Sequence, residues 1–277
     1  MPIIFIADNG STKPDATRQL RVLADGLSEK TGQTIYPVSF QHAQRIPAEK
    51  LDGRPAQIFI DFMTRKLSEG HREFLLLPLF FGNSKAITSF VPEQLDLLKP
   101  QFGEFTLTIA EVIYPLPQGE PLLETIIHDH ILQTADTNEL PLKNIVLVDH
   151  GSPVAKVTEV RKQLASRVQS RLPANVKLQQ AVMERRPGTE YDFNGDLLQH
   201  WLTSRAEGGA TSALVILQFF LAGRHAGAGG DIVEICAEVM KKYPQFKIAI
   251  SPLISEHPAL KDILQQRMET VLQSLKA

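Results

Sequence analysis

The sequence predicts an α/β protein made of two similar lobes, each a mainly parallel four-stranded sheet flanked by helices. Three observations lead there. Short apolar runs alternate with segments of helical spacing along the whole chain, the pattern of a parallel sheet with helices on its faces. The runs are nearly unbroken instead of alternating polar and apolar, as expected of strands covered on both sides. The landmarks of the first half also recur, in order, in the second.

In the first half, Ile3 to Ala7 reads as a strand ended by Asp8-Asn9-Gly10-Ser11, and Leu20, Leu23 and Leu27 then mark one face of a helix that Gly32 closes. Thr34 to Phe40 is the second strand, and a polar helix with Ile58, Phe62 and Leu67 leads to the third, Phe74 to Phe81, which opens onto Gly82-Asn83-Ser84-Lys85. Thr106 to Ile113 is the fourth, followed by Tyr114-Pro-Leu-Pro117 and a helix from Pro121 to about Gln133. A polar connector, Thr134 to Glu139, then separates the halves. The expected lobes are 1–138 and 139–277, with the boundary near residues 134 to 143.

The second half opens with Ile145 to Val148 and Asp149-His150-Gly151-Ser152, matching Asp8-Asn9-Gly10-Ser11. Val157, Val160, Leu164 and Val168 form the helical face, Leu178 to Met183 the second strand, and Ile248 to Ile254 the fourth. The third, Leu214 to Leu221, runs into a loop with glycines at 223, 227, 229 and 230, the imidazole of His225 and the acid Asp231. Ligands of open α/β sheets bind beyond the carboxyl ends of the strands, and glycine backbone approaches an anionic ligand closely because no Cβ intervenes.

Composition narrows the function. Lys and Arg number 29 against 31 Asp and Glu, so nothing in the balance calls for nucleic acid or an anionic membrane. Cys236 is the only cysteine, which rules out an internal disulfide and fits a reducing, cytoplasmic setting. The apolar runs fall short of a membrane span, and the N-terminus reads as a first strand instead of a signal peptide.

The two halves differ where chemistry belongs. At corresponding strand ends the second half has His150, Glu184 and His225, whereas the first has Asn9, Gln41 and Lys85. Groups that bind metals or take protons at neutral pH therefore fall together in one lobe only. Two imidazoles and a carboxylate at the same end of a sheet would hold a divalent transition metal with positions left open for substrate.

These residues resemble the class II tetrapyrrole chelatases, the sirohydrochlorin cobaltochelatases and ferrochelatases of cobalamin and sirohaem synthesis. The resemblance rests on His150-Gly151-Ser152, on Phe219-Phe-Leu-Ala-Gly-Arg-His225 and on Met183-Glu184-Arg185-Arg186-Pro187 with the segment up to Asn194. It implies that a tetrapyrrole binds in a cleft between lobes, that His150 and His225 bind the metal and accept protons, and that Glu184 is their acidic partner. The only metal it implies is the one inserted, Co2+ or Fe2+, with Ni2+ an alternative, and no redox cofactor is needed. Asp231 departs from the simplest family pattern, where the acid follows the second histidine more closely, which leaves its role open. A substrate rich in carboxylates calls for Arg185, Arg186 and Arg224 beside the ligands, for Ser152, and for the backbone of Gly223, Gly227, Gly229 and Gly230. Ser84 and Lys85 are expected on an opposite wall.

Other signals read as structural. His128-Asp129-His130 lies in a predicted helix, where residues two apart point in different directions, and is expected on a solvated face. His257 reads as a turn residue, Cys236 as a small buried one and Trp201 as core, while Phe193 is a candidate for stacking on a macrocycle. Ser152 lacks the G-x-S-x-G elbow of a serine hydrolase. The expected function is metal insertion into sirohydrochlorin by a monomer or weak homodimer, with a non-catalytic metal or tetrapyrrole carrier as the rival reading and a nickel-specific chelatase as a variant.

Overall fold

A computed structural model describes residues 1–276. It contains two four-stranded, all-parallel sheets. The first is built from β1 (Ile3–Asp8), β2 (Ile35–Ser39), β3 (Glu73–Pro78) and β4 (Thr106–Ile109) in the order β2-β1-β3-β4. The second has β5 (Ile145–Asp149), β6 (Leu178–Val182), β7 (Ser212–Leu217) and β8 (Lys247–Ile250) in the order β6-β5-β7-β8. Each places its two earliest strands and the third side by side, with β1 or β5 central, and a strand order that reverses direction at that point creates a crevice at the carboxyl ends.

The central strands are apolar because both faces are covered: every residue of β5 and of β7 is buried. Around the first sheet run α1 (Pro14–Thr31), α2 (Phe59–Ser68) and α3 (Val91–Phe102), the last entered through a π-helical turn at Ala86–Phe90. Around the second run α5 (Ala155–Gln169), α6 (Leu198–Glu207) and α7 (Asp231–Lys242). Two further helices follow the fourth strands, α4 (Pro121–Thr137) and α8 (Ala259–Ser274).

The compact units divide differently from 1–138 and 139–277. One comprises Met1–Pro115 together with the stretch from Pro258 onward, and the other Leu116–His257. Helix α4 therefore belongs with the second sheet, where it packs on α5 and β7 and its buried Glu124 is paired with Arg167 at 3.3 Å and Arg171 at 2.7 Å. Helix α8 belongs with the first, where Asp262 pairs with Lys30 of α1. Each half of the chain thus gives its last helix to the other sheet. The spacing of apolar residues in α4 shows that one face must be buried, but not which sheet buries it. The expected polar connector is also shorter than anticipated, since residues 134–137 complete α4.

Four expected strands outlast their ladders. β3, β4, β7 and β8 end at Pro78, Ile109, Leu217 and Ile250, whereas the expected segments continue to residues 81, 113, 221 and 254. These continuations are tied into buried loops, as in Ile254 N–H donating to Phe219 O at 3.0 Å. Apolarity there reports burial, not ladder pairing. Among the described residues no helix is long and apolar enough to cross a membrane.

Candidate metal and proton-transfer site

The site is assembled at the carboxyl end of the second sheet. Strand β5 delivers Asp149 and His150, and the neighbouring β6 delivers Met183 and Glu184. Their backbones stay coupled past the ladder, with Met183 N–H to Asp149 O at 2.8 Å and Glu184 N–H to His150 O at 3.1 Å. This requires Gly151: its φ is +92°, and a Cβ there would stand 2.0 Å from Glu184 O. Gly10 does the same in the first unit, where a Cβ would stand 1.8 Å from Gln41 O. The two sheets thus share one backbone device and carry different side chains on it.

From this platform Glu184 Oε1 lies 3.2 Å from His150 Nε2, while His150 Nδ1 lies 3.0 Å from Gly151 O. Both ring nitrogens face oxygen acceptors, so the two contacts are complete together only when His150 and Glu184 share one proton beyond that of a neutral imidazole. His225 arrives from the loop after β7, and its ring centroid is 4.5 Å from that of His150 at an interplanar angle of 66°. Asp231, the first residue of α7, places Oδ2 2.6 Å from His225 Nδ1. A carboxylate can only accept, so Nδ1 carries the proton and Nε2 keeps its lone pair. All four side chains are partly open to solvent.

The three expected ligands therefore meet, but as two carboxylate–imidazole pairs set side by side. Among the described residues no group of three or more His, Cys, Asp or Glu forms a ready-made metal cage. The fourth member, Asp231, was left without a role by the sequence and turns out to orient His225.

The flanking residues are arranged less simply than expected. Arg224 is exposed, with Nε 3.8 Å from Asp231 Oδ2, and stays beside the pair. Arg185 reaches Asp192 at 3.0 Å and Gly195 O at 3.2 Å, and Arg186 lies over the Tyr191 ring, so both are engaged with the 189–195 loop. The Ser152 hydroxyl accepts from Val154 N–H at 3.0 Å and serves the turn. In the glycine loop, Gly223 N–H donates to Leu221 O and Gly230 N–H to Gly227 O, so these two are not free anion donors. Gly230 also presses on His225, since a Cβ there would lie 3.0 Å from the His225 carbonyl, and neither Gly227 nor Gly229 has a side chain to screen the loop. By strand register Leu77 corresponds to Ile216, so equal counting sets Arg224 against Lys85 and His225 one residue beyond it.

Beneath His150 lies a polar network that the sequence reading missed. Arg161 of α5, 2% exposed, pairs with the buried Asp149 and donates to Asn194 O. Asn194, fully buried, accepts from Ser152 N–H at 3.0 Å and Thr158 Oγ1 at 3.1 Å and donates to Ser152 O at 2.9 Å. Burial pushes the Asp149 carboxyl above its usual range, and the Arg161 guanidinium opposes that shift. The network fastens the 189–194 segment to the turn that carries His150. Arg161 was findable, because it sits on the apolar face marked by Val157, Val160 and Leu164.

Two further expectations meet different outcomes. The His128-Asp129-His130 tract is not simply solvated: His130 is 1% exposed, its Nδ1 has no hydrogen-bond partner, and burial holds its pKa down at about 4. Helix α4 turns that position inward, against His257 at 5.8 Å between ring centroids. Cys236 and Trp201 are core residues as expected, and burial pushes the Cys236 thiol up to about 12, which makes it a poor nucleophile. His257 closes the 3-10 turn Ile254–Glu256, and Phe193 is partly exposed beside Tyr191.

The fold, two four-stranded parallel sheets with helices on their faces, is shared with solved chelatase structures. Residues 144–271 match the CbiX family model, a stretch that includes both carboxylate–imidazole pairs. The whole chain is similar in structure to SirB from Bacillus subtilis with Fe3+ (TM-score 0.68, 13% identity, 97% of this chain and 95% of that one). It is likewise similar to the sirohydrochlorin chelatase SirB from Bacillus subtilis subspecies spizizenii in complex with cobalt (TM-score 0.64, 11% identity, 96% and 94%). A third similar structure is CbiX, the terminal enzyme for biosynthesis of siroheme in denitrifying bacteria (TM-score 0.59, 15% identity, 98% and 99%). At these identities the likenesses speak for the fold. No curated protein sequence matches significantly.

Proposed function

We propose that the protein inserts a divalent metal ion, cobalt or ferrous iron, into sirohydrochlorin or a closely related carboxylated tetrapyrrole. The observation that carries this reading is the approach of His150 and His225 to 4.5 Å between ring centroids, each ring held by its own carboxylate. The solved structures of similar fold that hold Fe3+ and cobalt support the choice of ion.

Insertion delivers one divalent ion to the ring nitrogens and removes two N–H protons, so net charge is conserved. In our reading His225 offers Nε2 to the incoming ion because Asp231 keeps the proton on Nδ1. His150 and Glu184 form the proton-accepting couple, an imidazole backed by a carboxylate that steadies its charged form. Arg224 is the cation placed to meet a substrate carboxylate with parallel hydrogen bonds.

The test follows the visible spectrum of sirohydrochlorin with cobalt under multiple turnover. Loss of a positioned acid–base or ligand group should slow His225→Ala and His150→Ala by roughly 100-fold or more. Equal rates in wild type and both variants would remove the site assignment, and binding without turnover would leave only a carrier.

A further inference from the structure

The first unit keeps the acid of the buried network but not its partner. Asp8 occupies the place of Asp149 at the end of the central strand, and Leu20 lies at the same distance along the chain from Asp8 as Arg161 does from Asp149. By strand register Ser39 stands where the second sheet has Val182, and its hydroxyl donates to Asp8 at 2.7 Å. In the second unit the long Arg161 side chain fills the space between helix and edge strand. In the first, the shorter Leu20 leaves a cavity of about 300 Å3.

Buried hydroxyl side chains and three arginines line this cavity together. Thr17, only 6% exposed, lines it beside Ser39, whose hydroxyl donates to Asp8 and keeps its acceptor side. Arg21, Arg54 and Arg65 line it against a single carboxylate, Asp25. Arg21 and Arg65 are fixed in place, Arg21 by donating to Leu51 O and Pro55 O and Arg65 by its bond to Gln57 and its pairing with Glu69 at 3.9 Å. Arg54 is exposed; its backbone is held, its carbonyl accepting from Arg21 and its N–H donating to Leu51 O at 3.1 Å, while its guanidinium extends from that anchored loop. Burial and the neighbouring Arg54 charge hold the Arg21 guanidinium below its usual range, a crowding that a bound anion would relieve.

We propose that this cavity is a binding site for a small oxyanion, a carboxylate or a phosphate, separate from the histidine site and filled in the sister unit by Arg161. Its volume matches the lower end of ordinary ligand pockets, and guanidinium groups pair oxyanions with two parallel hydrogen bonds.

The test titrates the full chain with inorganic phosphate and, separately, with citrate, by calorimetry and thermal melting. Saturable binding of either anion, with a rise of a few degrees in Tm, is expected, and the anion that binds identifies the source. Arg54→Ala, which breaks no internal contact, should weaken binding about tenfold or more. Leu20→Arg should abolish it by restoring the side chain that fills the sister cavity. Neither variant touches the histidine pair, so metal insertion should stay at the wild-type rate, which keeps this test independent of the proposed activity. Absence of saturable binding, or unchanged affinity in Arg54→Ala, would overturn the proposal, whether or not Leu20→Arg folds.

Discussion

Asp231 Oδ2 lies 2.6 Å from Nδ1 of His225, and that contact determines which ring nitrogen keeps its lone pair. Asp231→Ala frees the ring to rotate and to exchange tautomers. Loss of such a supporting partner costs about 10 to 100-fold in metal affinity or activity. The affinity of Co2+ for the free protein should fall with the insertion rate, whereas a purely structural role for Asp231 would lower Tm and leave the affinity alone.

Arg161 pairs with Asp149 in the interior, and removing one member strands the other. Arg161→Leu should lower unfolding stability by about 3 to 5 kcal/mol, whereas Asp149→Asn combined with Arg161→Leu should recover much of that loss. Urea denaturation measures both. Similar stability in the single and double variants would show that the buried charge of Asp149 is not what Arg161 offsets.

Gly151 and Gly229 both adopt positive φ, yet only Gly151 is hemmed in, since nothing lies within 4 Å of a Cβ at Gly229. Gly229→Ala should cost about 1 to 2 kcal/mol, the price of a left-handed backbone alone. Gly151→Ala must also push Glu184 away, so it should lose more stability and most of the insertion rate. Comparable melting temperatures for the two would contradict the close approach.

His130 is buried neutral, with a folded pKa of about 4 against 6.5 in an unfolded chain. Between those values the unfolded chain binds more protons, so this group's contribution is present above pH 6.5 and is lost as pH falls toward 4. His130→Phe removes that dependence together with the unpartnered ring nitrogen. Its Tm should decline less than that of the wild type between pH 7 and pH 5, and parallel declines would refute the assignment.

Much of this was legible without coordinates. The alternation of apolar runs and helical faces gave all eight strands, because strands buried on both sides must be apolar. The contrast of His150 and Glu184 with Asn9 and Gln41 pointed to the carboxyl end of the second sheet, where His225 also arrives, because the two halves reuse one backbone. Less was visible where partners are remote in sequence. Nothing local to Asp231 says that it turns back to His225, and nothing local to Arg185 says that it is engaged by Asp192.

What the sequence by itself determined is the pair of parallel sheets and the end of the second one at which the histidines gather, since periodicity and strand-end chemistry are local properties. Tertiary structure alone decided which sheet each last helix covers, which nitrogen of His225 is presented, and that the space filled by Arg161 in one unit is a cavity in the other. Those outcomes depend on side chains far apart in the chain competing for the same volume, and no local pattern records that competition.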